Sequence, residues 1–319
     1  MKIKNKKILL VDTVHPLIEK EFSEMGFQCE QFSGNTQKEL GLIVHEYFGL
    51  IIRSKIMIDK YILEKAKELK FIGRVGAGME NIDIKFVEKI GVKCFNSPEG
   101  NRDAVGEHVI GMLLSMFNNL KIADLEVRQG IWNREGNRGT EIKGKTIGII
   151  GYGNMGSAVA KKLKGFGADV IAFDKYKFNY SEEFVKECTL DEVFEKSEIV
   201  SMHVPLTTET NYMVDDRFIN NFKKNIFFIN TSRGKVLKTS DLVKNIKTGK
   251  VIGAALDVLE YENLSFENLK NDNLPEDFNF LINSEKVILS PHIAGWTVES
   301  KYKLAKVLID KIKLAFDMN

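Results

Sequence analysis

The stretch IGIIGYGNMGSAVAKKLKGFGADVIAFD, residues Ile147–Asp174, decides the fold. An apolar run leads directly into the pattern GxGxxG, and residues with helical periodicity follow the last glycine. Gly151 permits a tight turn, Gly153 lets the backbone approach a pyrophosphate, and Gly156 allows a helix to pack closely on a strand. The first amide groups of that helix and its dipole favour an anion. The stretch therefore predicts a strand, a phosphate-binding turn and a helix.

Asp174 ends the next apolar run. A carboxylate at this place accepts hydrogen bonds from ribose hydroxyls and repels a 2′-phosphate, so the sequence favours NAD over NADP. The alternative is that the glycines form only a structural turn. The strand, the helix and the acid in their expected order favour the binding interpretation.

The composition is that of an ordinary globular protein. The chain has 319 residues, of which 44% are hydrophobic and 28% are charged, and this excludes disordered, collagen-like and coiled-coil classes. Its length indicates two domains. The 46 basic residues nearly cancel the 44 acidic ones, so we expect neither nucleic acid nor a membrane surface as a partner.

The cysteines and the N-terminal sequence indicate in which cellular compartment the protein is found. Cys29, Cys94 and Cys188 are far apart and lack CxxC or zinc-ligand spacing, so we predict neither disulfides nor a metal site. The apolar run Ile8–Val11 is too short for a signal peptide, and the chain lacks an apolar stretch long enough for a membrane span. We therefore expect a soluble, cytoplasmic protein.

Short apolar runs alternate with helical patterns over nearly the whole chain, which is typical of parallel sheets with crossover helices. The predicted fold class is α/β. A helical pattern over Asn101–Gln129, followed by the irregular Gly- and Arg-rich stretch Gly130–Gly139, marks the boundary between two lobes. Val298–Phe316 is expected to be a helix that packs back on the first lobe. Asn263–Asn283 is expected to be a surface loop with a short helix at most. The predicted strands are Lys7–Val11, Cys29–Phe32, Leu50–Ile52, Phe71–Arg74 and Lys93–Phe95 in the first lobe, and Thr146–Ile150, Val170–Phe173, Ile199–His203, Ile226–Ile229, Val251–Leu256 and Val287–Leu289 in the second.

Three polar segments follow predicted strands of the second lobe. They are NTSRG with Arg233, DVLEYE with Asp257 and Glu262, and SPHIAGW with His292. Ligands of open α/β sheets bind outside the carboxyl ends of the strands, so these segments and the glycine loop are expected to face one site.

These motifs, in this order, resemble the D-isomer-specific 2-hydroxyacid dehydrogenases, especially the phosphoglycerate (short-form), glycerate and hydroxypyruvate members. The resemblance spans nearly the whole chain. In the first lobe, Ile51–Lys55 and Val75–Asp83 resemble the substrate-binding segments of the family, and Asn101–His108 resembles its domain-crossing helix.

The resemblance implies two doubly wound parallel-sheet lobes, with a Rossmann cofactor lobe inserted into a flavodoxin-like substrate lobe. The substrate domain would comprise residues 1–99 and 293–319, and the NAD-binding domain residues 100–292. It also implies a homodimer, whose contact would be formed by the Asn101–Gln129 helix and the arm after it, with Trp132.

The resemblance gives each segment a chemical role. His292 would protonate the carbonyl oxygen of a 2-oxo acid, and Glu262 would favour the imidazolium and orient the ring. Arg233 would grip the substrate carboxylate, a task that suits a planar cation with several donors. Asp257 would contact the nicotinamide side.

The implied binding residues fall into two sets. The cofactor set is Gly151, Tyr152, Gly153, Asn154, Met155, Gly156, Asp174, His203, Pro205, Thr231, Ser232, Arg233, Asp257, His292 and Gly295. The substrate set is Arg53, Ser54, Lys55, Gly76, Ala77, Gly78, Arg233 and His292.

The basic residues Arg53 and Lys55 would suit a phosphate on the substrate. The expected reaction is therefore the NAD-dependent oxidation of D-3-phosphoglycerate to 3-phosphohydroxypyruvate, a step of serine biosynthesis. Both residues could instead simply face water. A glyoxylate or hydroxypyruvate reductase, and an NAD-sensing binding protein, remain alternatives. The other histidines, His15, His45, His108 and His203, are interpreted as structural.

Overall fold

The structure is a computed structural model that describes residues 6–262 and 275–317. These residues form two compact units. Unit 1 comprises residues 6–101 and 296–317, and unit 2 comprises residues 102–262 and 275–295. The sequence prediction places the two boundaries at 99/100 and 292/293 instead.

The chain alternates strands and helices in both units. The strands are β1 Lys7–Leu10, β2 Gln28–Gln31, β3 Gly49–Ile52, β4 Phe71–Arg74, β5 Lys93–Asn96, β6 Thr146–Ile150, β7 Asp169–Phe173, β8 Lys186–Glu187, β9 Ile199–Met202, β10 Ile226–Asn230, β11 Val251–Leu256 and β12 Val287–Leu289. The helices are α1 Leu17–Glu24, α2 Gln37–Ile43, α3 Lys60–Leu63, α4 Ile84–Lys89, α5 Arg102–Phe117, α6 Leu120–Arg128, α7 Asn154–Leu163, α8 Leu190–Lys196, α9 Asp216–Asn221, α10 Thr239–Lys247, α11 Glu276–Asn283 and α12 Val298–Ala315.

Unit 1 is built on a five-stranded parallel sheet in the order β2-β1-β3-β4-β5. This is the flavodoxin-like order of a doubly wound sheet. The final helix α12 belongs to this unit, because Ala305, Leu308, Ile309 and Ile312 are fully buried in the same apolar core as Phe71 of β4. The helix thus packs on the first lobe, as the sequence predicts.

Unit 2 is built on a seven-stranded parallel sheet in the order β8-β7-β6-β9-β10-β11-β12. Six of these strands follow the Rossmann order, and β12 extends the edge. The order reverses between β6 and β9, and the carboxyl ends of both strands lie at the sheet edge where such folds bind their ligands. The predicted α/β class with two parallel sheets is confirmed.

Two elements differ from the sequence prediction. The helical pattern of Asn101–Gln129 forms two helices, because Asn119 adopts φ 50°, a left-handed conformation that an α-helix cannot continue. The short edge strand β8 was not predicted, since Lys and Glu carry no strand signal. In the Asn263–Asn283 tract, the eight-residue helix α11 agrees with the expected short helix, and residues 263–274 lie outside the described residues.

Among the described residues, every helix is too short or too polar to cross a lipid bilayer.

Candidate active site

The glycine loop lies between β6 and α7 of unit 2. A Cβ on Gly156 would lie 2.0 Å from the carbonyl oxygen of Gly151, so this close approach requires glycine. The helix α7 begins at Asn154, and Met155 lies in its first turn. Apart from Gly153 itself and its two neighbours in the chain, no described atom lies within 4 Å of the position that a Cβ on Gly153 would take. The loop thus leaves space at the start of a ten-residue helix, as a bound pyrophosphate needs.

Two buried polar atoms stand at the same edge of the sheet. The side-chain oxygen of Thr231, after β10, and Nδ1 of His203, after β9, are buried and lack a hydrogen-bond partner within the part of the chain that the structure describes. Buried polar atoms are normally paired, so these two point to a polar ligand. Together with the glycine loop, they fit a dinucleotide lying across the strand ends.

Asp174 ties the end of β7 to the glycine loop. Its Oδ2 accepts a hydrogen bond of 2.7 Å from the Tyr152 amide. Its Oδ1 accepts from the amides of Tyr176 at 2.9 Å and Lys177 at 3.0 Å. An ionised carboxylate has about four acceptor positions, so three backbone donors do not saturate it. The predicted contact with ribose hydroxyls stays a prediction.

The ring of Tyr152 is buried and stacks on Tyr180, with 4.4 Å between ring centroids.

His203 is held as a neutral imidazole. Burial lowers its pKa from 6.5 to about 4. Its Nε2 lies 2.8 Å from the hydroxyl of Ser201. Pro205, two residues further on, is exposed, and its carbonyl oxygen accepts a hydrogen bond from Thr210.

The loop that carries Arg233 is fixed by Asn230, the last residue of β10. The Asn230 side-chain oxygen accepts from the amide and the hydroxyl of Ser232, at 3.0 and 2.7 Å. Its side-chain nitrogen donates to the carbonyl of Arg233 at 3.1 Å. The Arg233 guanidinium donates to the Ser232 carbonyl at 2.7 Å. Asn230 therefore sets the backbone from which the arginine projects.

The Arg233 loop packs directly on the segment that precedes Glu262. A Cβ on Gly234 would lie 2.0 Å from the carbonyl oxygen of Leu259, so any larger residue would push the two segments apart. The Leu259 amide in turn donates to Oε1 of Glu262. Close backbone packing thus brings the NTSRG and DVLEYE segments together at neighbouring strands β10 and β11.

Glu262 and His292 form a direct pair. Oε2 of Glu262 lies 2.6 Å from Nδ1 of His292, and the two side chains are only 14% and 22% exposed. An ionised carboxylate only accepts hydrogen bonds, so Nδ1 carries the hydrogen in this contact. The ring is therefore oriented with Nε2 as the nitrogen that can exchange a proton.

Asp257 is a buried carboxylate, 1% exposed, at the end of β11. It accepts hydrogen bonds from the amides of Ile293 at 2.9 Å and Ala294 at 2.8 Å. The sequence prediction has this residue contact the nicotinamide side. In the structure its oxygens are directed at the backbone that follows His292, and Gly295 ends the same segment of unit 2.

In unit 1, Asp12 and Asn81 fix the backbone of the segment Arg53–Lys55. The carboxylate of Asp12 accepts from the Arg53 amide at 2.6 Å and from the Lys55 amide at 3.2 Å. The Asn81 side chain donates to the Arg53 carbonyl at 3.0 Å. Ser54 lies between the two held amides. The segment is thus presented by a strand end and two polar side chains.

The two cations of this segment have different neighbours. The Arg53 guanidinium stacks on the indole of Trp296, 4.4 Å from the ring centroid. The Lys55 ammonium donates to the Gly34 carbonyl at 2.9 Å, and its side chain is exposed.

The glycine turn of unit 1 uses one of its own amides internally. The Gly76 N–H donates to the hydroxyl of Ser97 at 3.2 Å, and the side chain of Asn96 donates to the Ala77 carbonyl at 2.7 Å. Of the substrate-set residues Gly76, Ala77 and Gly78, Gly76 therefore already has a hydrogen-bond partner for its amide.

Residues 110–294 match the D-isomer specific 2-hydroxyacid dehydrogenase, NAD binding domain, and this match covers more than half of the chain. The chain belongs to the D-isomer specific 2-hydroxyacid dehydrogenase family. Its cofactor is NAD.

Named relatives of this family member differ in substrate. The chain is 31% identical over 303 residues to hydroxypyruvate reductase from Thermotoga maritima, covering 94% of this chain and 96% of that protein. It is 31% identical over 308 residues to D-3-phosphoglycerate dehydrogenase from Archaeoglobus fulgidus, covering 96% of this chain but 56% of that protein. The chain thus spans about half the length of the phosphoglycerate dehydrogenases that it matches.

A solved structure agrees with the fold. D-lactate dehydrogenase from Aquifex aeolicus, complexed with NAD and lactic acid, superposes with a TM-score of 0.84 at 25% identity, covering 97% of this chain and 95% of that chain.

From the sequence we did not identify the residues that position the predicted site residues through hydrogen bonds or ring contacts. Asp12, Asn81, Asn230 and Trp296 belong to this group. Asp12 and Asn230 directly follow apolar runs, and this is the one signal that could have identified them. The partners of Asn81 and Trp296 are distant in sequence, so no local pattern reveals them.

Proposed function

We propose that this family member catalyses the NAD-dependent interconversion of D-2-hydroxy acids and 2-oxo acids. The observation that carries the proposal is the 2.6 Å contact between Glu262 and His292. It lies in the unit that contains the glycine loop and Arg233.

His292 would move one proton at Nε2. In reduction, the imidazolium gives this proton to the carbonyl oxygen of the 2-oxo acid. In oxidation, the neutral ring takes the hydroxyl proton at the same atom. Glu262 keeps the hydrogen on Nδ1 and stabilises the ring when it is charged. Bound NAD(H) accepts or supplies the hydride at the substrate carbon.

Arg233 would bind the carboxylate of the substrate. A guanidinium can donate two parallel hydrogen bonds to a carboxylate, and its charge polarises the neighbouring carbonyl. The Asn230 contacts support this role, because they fix the backbone on both sides of the arginine. The amides of Ala77 and Gly78 are the corresponding donors that we propose in unit 1.

We propose D-3-phosphoglycerate and 3-phosphohydroxypyruvate as the substrate pair, as in serine biosynthesis. Arg53 and Lys55 support a substrate with a distal anion, since they are two cations on one short segment whose backbone Asp12 holds. The exposure of Lys55 and its bond to Gly34 favour the second candidate, reduction of hydroxypyruvate or glyoxylate, whose uncharged end needs no second cation.

A substrate panel tests the proposal. We expect NADH oxidation with 3-phosphohydroxypyruvate, hydroxypyruvate and glyoxylate, with the highest kcat/KM for the phosphorylated acid. The highest value for either of the others would select the reductase. Tight NADH binding without turnover of any acid would reject the enzyme and favour an NAD-sensing protein.

We propose that two copies associate through α6 and the arm after it. Leu120, Leu125 and Val127 of α6 are 54%, 54% and 53% exposed, and Trp132 is 77% exposed. Exposed apolar patches of this kind mark protein interfaces. Sedimentation of a species with the mass of one chain at micromolar concentration would contradict the dimer.

We propose a cytoplasmic location. Cys29, Cys94 and Cys188 are free thiols in the structure. Burial raises their pKa to about 11, about 12 and about 11, respectively, so they stay protonated and unreactive. Three free thiols are typical of a reducing compartment.

A further inference from the structure

Asp257 accepts hydrogen bonds from three successive backbone amides that begin at His292. Its carbonyl oxygen accepts from the His292 amide at 2.7 Å. Its two carboxylate oxygens accept from the amides of Ile293 and Ala294, at 2.9 and 2.8 Å. One residue thus fixes three successive amides of the segment that carries the proposed acid.

These hydrogen bonds stabilise a backbone conformation that is unfavourable for His292. His292 has φ 56°, in the left-handed region that residues with a Cβ rarely adopt. Such a conformation persists only where the surrounding structure enforces it. The direction of the His292 ring, and hence its contact with Glu262, depends on the three hydrogen bonds to Asp257.

The carboxylate of Asp257 is in turn held by a third hydrogen-bond donor. The Ser290 hydroxyl lies 2.5 Å from Oδ1 of Asp257. His108, on helix α5, places its Nε2 3.0 Å from the same hydroxyl and 3.5 Å from Oδ1 of Asp257. The His108 side chain is 23% exposed.

The direction of these hydrogen bonds follows from the number of protons. A carboxylate only accepts, so the single hydroxyl proton of Ser290 goes to Asp257. The hydroxyl can then only accept from His108, so Nε2 of His108 carries a hydrogen. The chain of donation runs from His108 to Ser290 to Asp257.

We propose that His108 and Ser290 are positioning residues for His292 and act through Asp257. This inference rests on the proposed role of His292. The relay fixes the Asp257 carboxylate in the one orientation in which both oxygens reach the loop amides. His108, interpreted from the sequence as structural, thereby takes part in arranging the site.

The tautomer of His108 tests the relay without any activity assay. In the 15N-labelled protein with NADH bound, the NMR chemical shifts of the histidine ring nitrogens show which nitrogen carries the hydrogen. The signals that disappear in a His108→Gln variant are those of His108. We expect His108 to be in the Nε2–H form in the wild type. In Ser290→Ala we expect His108 to be a mixture of the Nε2–H and Nδ1–H forms. An Nδ1–H form of neutral His108 in the wild type would overturn the proposal.

Kinetics test the positioning role. Because a hydrogen bond to a charged group is lost, we expect Ser290→Ala to lower kcat for 2-oxo acid reduction about tenfold, with the KM for NADH unchanged. Ser290→Thr, which keeps the hydroxyl, should restore kcat to within about twofold. A lower melting temperature with wild-type kcat would overturn the proposal, because that pattern is purely structural.

The matching histidine variants complete the experiment. His108→Gln keeps a donor and should retain more kcat than His108→Ala. His45→Gln, at an exposed histidine of unit 1, should leave kcat unchanged. Equal kcat for His108→Ala and the wild type would overturn the proposal. If the wild type turns over no 2-oxo acid, the proposed function fails, whereas the tautomer experiment still tests the relay.

Discussion

Oε2 of Glu262 lies 2.6 Å from Nδ1 of His292, and both side chains are largely shielded from water. The carboxylate both orients the ring and stabilises its positive charge. These two effects are separable, because glutamine retains an oxygen that accepts a hydrogen bond but carries no charge.

For Glu262→Gln we therefore expect the ring to stay oriented but to lose its proton more easily. Reduction of a 2-oxo acid needs the protonated ring, so the basic limb of the profile of kcat/KM against pH should move to lower pH. Rates measured from about pH 5 to about pH 9 check this. A profile at the wild-type position would show that the pair does not act electrostatically.

Loss of the proton donor or of the planar cation should nearly abolish turnover. General acid catalysis contributes about 10²–10⁴-fold, so we expect His292→Ala to lower kcat/KM by about 10³. Arg233→Lys should lower it by about 10², since lysine cannot donate two parallel hydrogen bonds. NADH binding, measured by fluorescence, should weaken far less than turnover in both variants. Turnover near the wild-type rate in either one would reject its assigned role.

The central strands of both sheets could be predicted from sequence because they are buried on both faces. Val251–Leu256 and Val287–Leu289 are continuous apolar runs, and their predicted bounds are those of β11 and β12. The break at Asn119 and the charged strand Lys186–Glu187 carry no such signal. Backbone dihedral angles and a two-residue charged strand such as β8 depend on contacts that hydrophobic periodicity does not record.

The residues of the candidate site also fall into a group that the sequence reveals and a group that it does not. The residues that would do chemistry, such as Arg233 and His292, stand at strand ends in recognisable segments. The residues that hold them act through contacts distant in sequence: Asp12 binds the amide of Arg53, and Ser290 binds Asp257. A single sequence shows that such residues are polar, but it does not show which backbone they support.

Cofactor choice should follow from Asp174. Its carboxylate lies beside the glycine loop, where it bonds to the Tyr152 amide at 2.7 Å, and its charge would repel a 2′-phosphate. We expect kcat/KM for NADH to exceed that for NADPH by about 10² or more, and Asp174→Asn to narrow the ratio. Comparable efficiencies with both cofactors in the wild type would refute the assignment.

Lys55 should matter only for substrates with a second anion. Its exposed ammonium donates to the Gly34 carbonyl at 2.9 Å, and an ammonium has three N–H donors, so it can donate to a phosphate as well. We expect Lys55→Ala to raise the KM for 3-phosphohydroxypyruvate about tenfold and the KM for glyoxylate less than about twofold. Lys60→Ala, at an exposed lysine of α3, is the matched control. Equal effects on both substrates would discard the phosphate hypothesis.

His203 should make the protein less stable in acid. Burial lowers its pKa from 6.5 to about 4 in the folded chain, whereas the unfolded chain keeps the ordinary value. Between these values the unfolded state binds more protons, so the free energy of unfolding falls as the pH drops from about 6.5 to about 4. This residue alone would account for a loss of about 3 kcal/mol over that range.

Replacement of this ring by a group that does not titrate should remove that part of the acid sensitivity. We expect His203→Asn to be less stable than the wild type at neutral pH, because Asn fills the buried space less well. Its free energy of unfolding in urea should nevertheless decline less between about pH 7 and about pH 4.5. His45→Asn, at an exposed site, should follow the wild-type curve. Parallel curves for His203→Asn and the wild type would mean that the ring of His203 is accessible to protons in the folded protein.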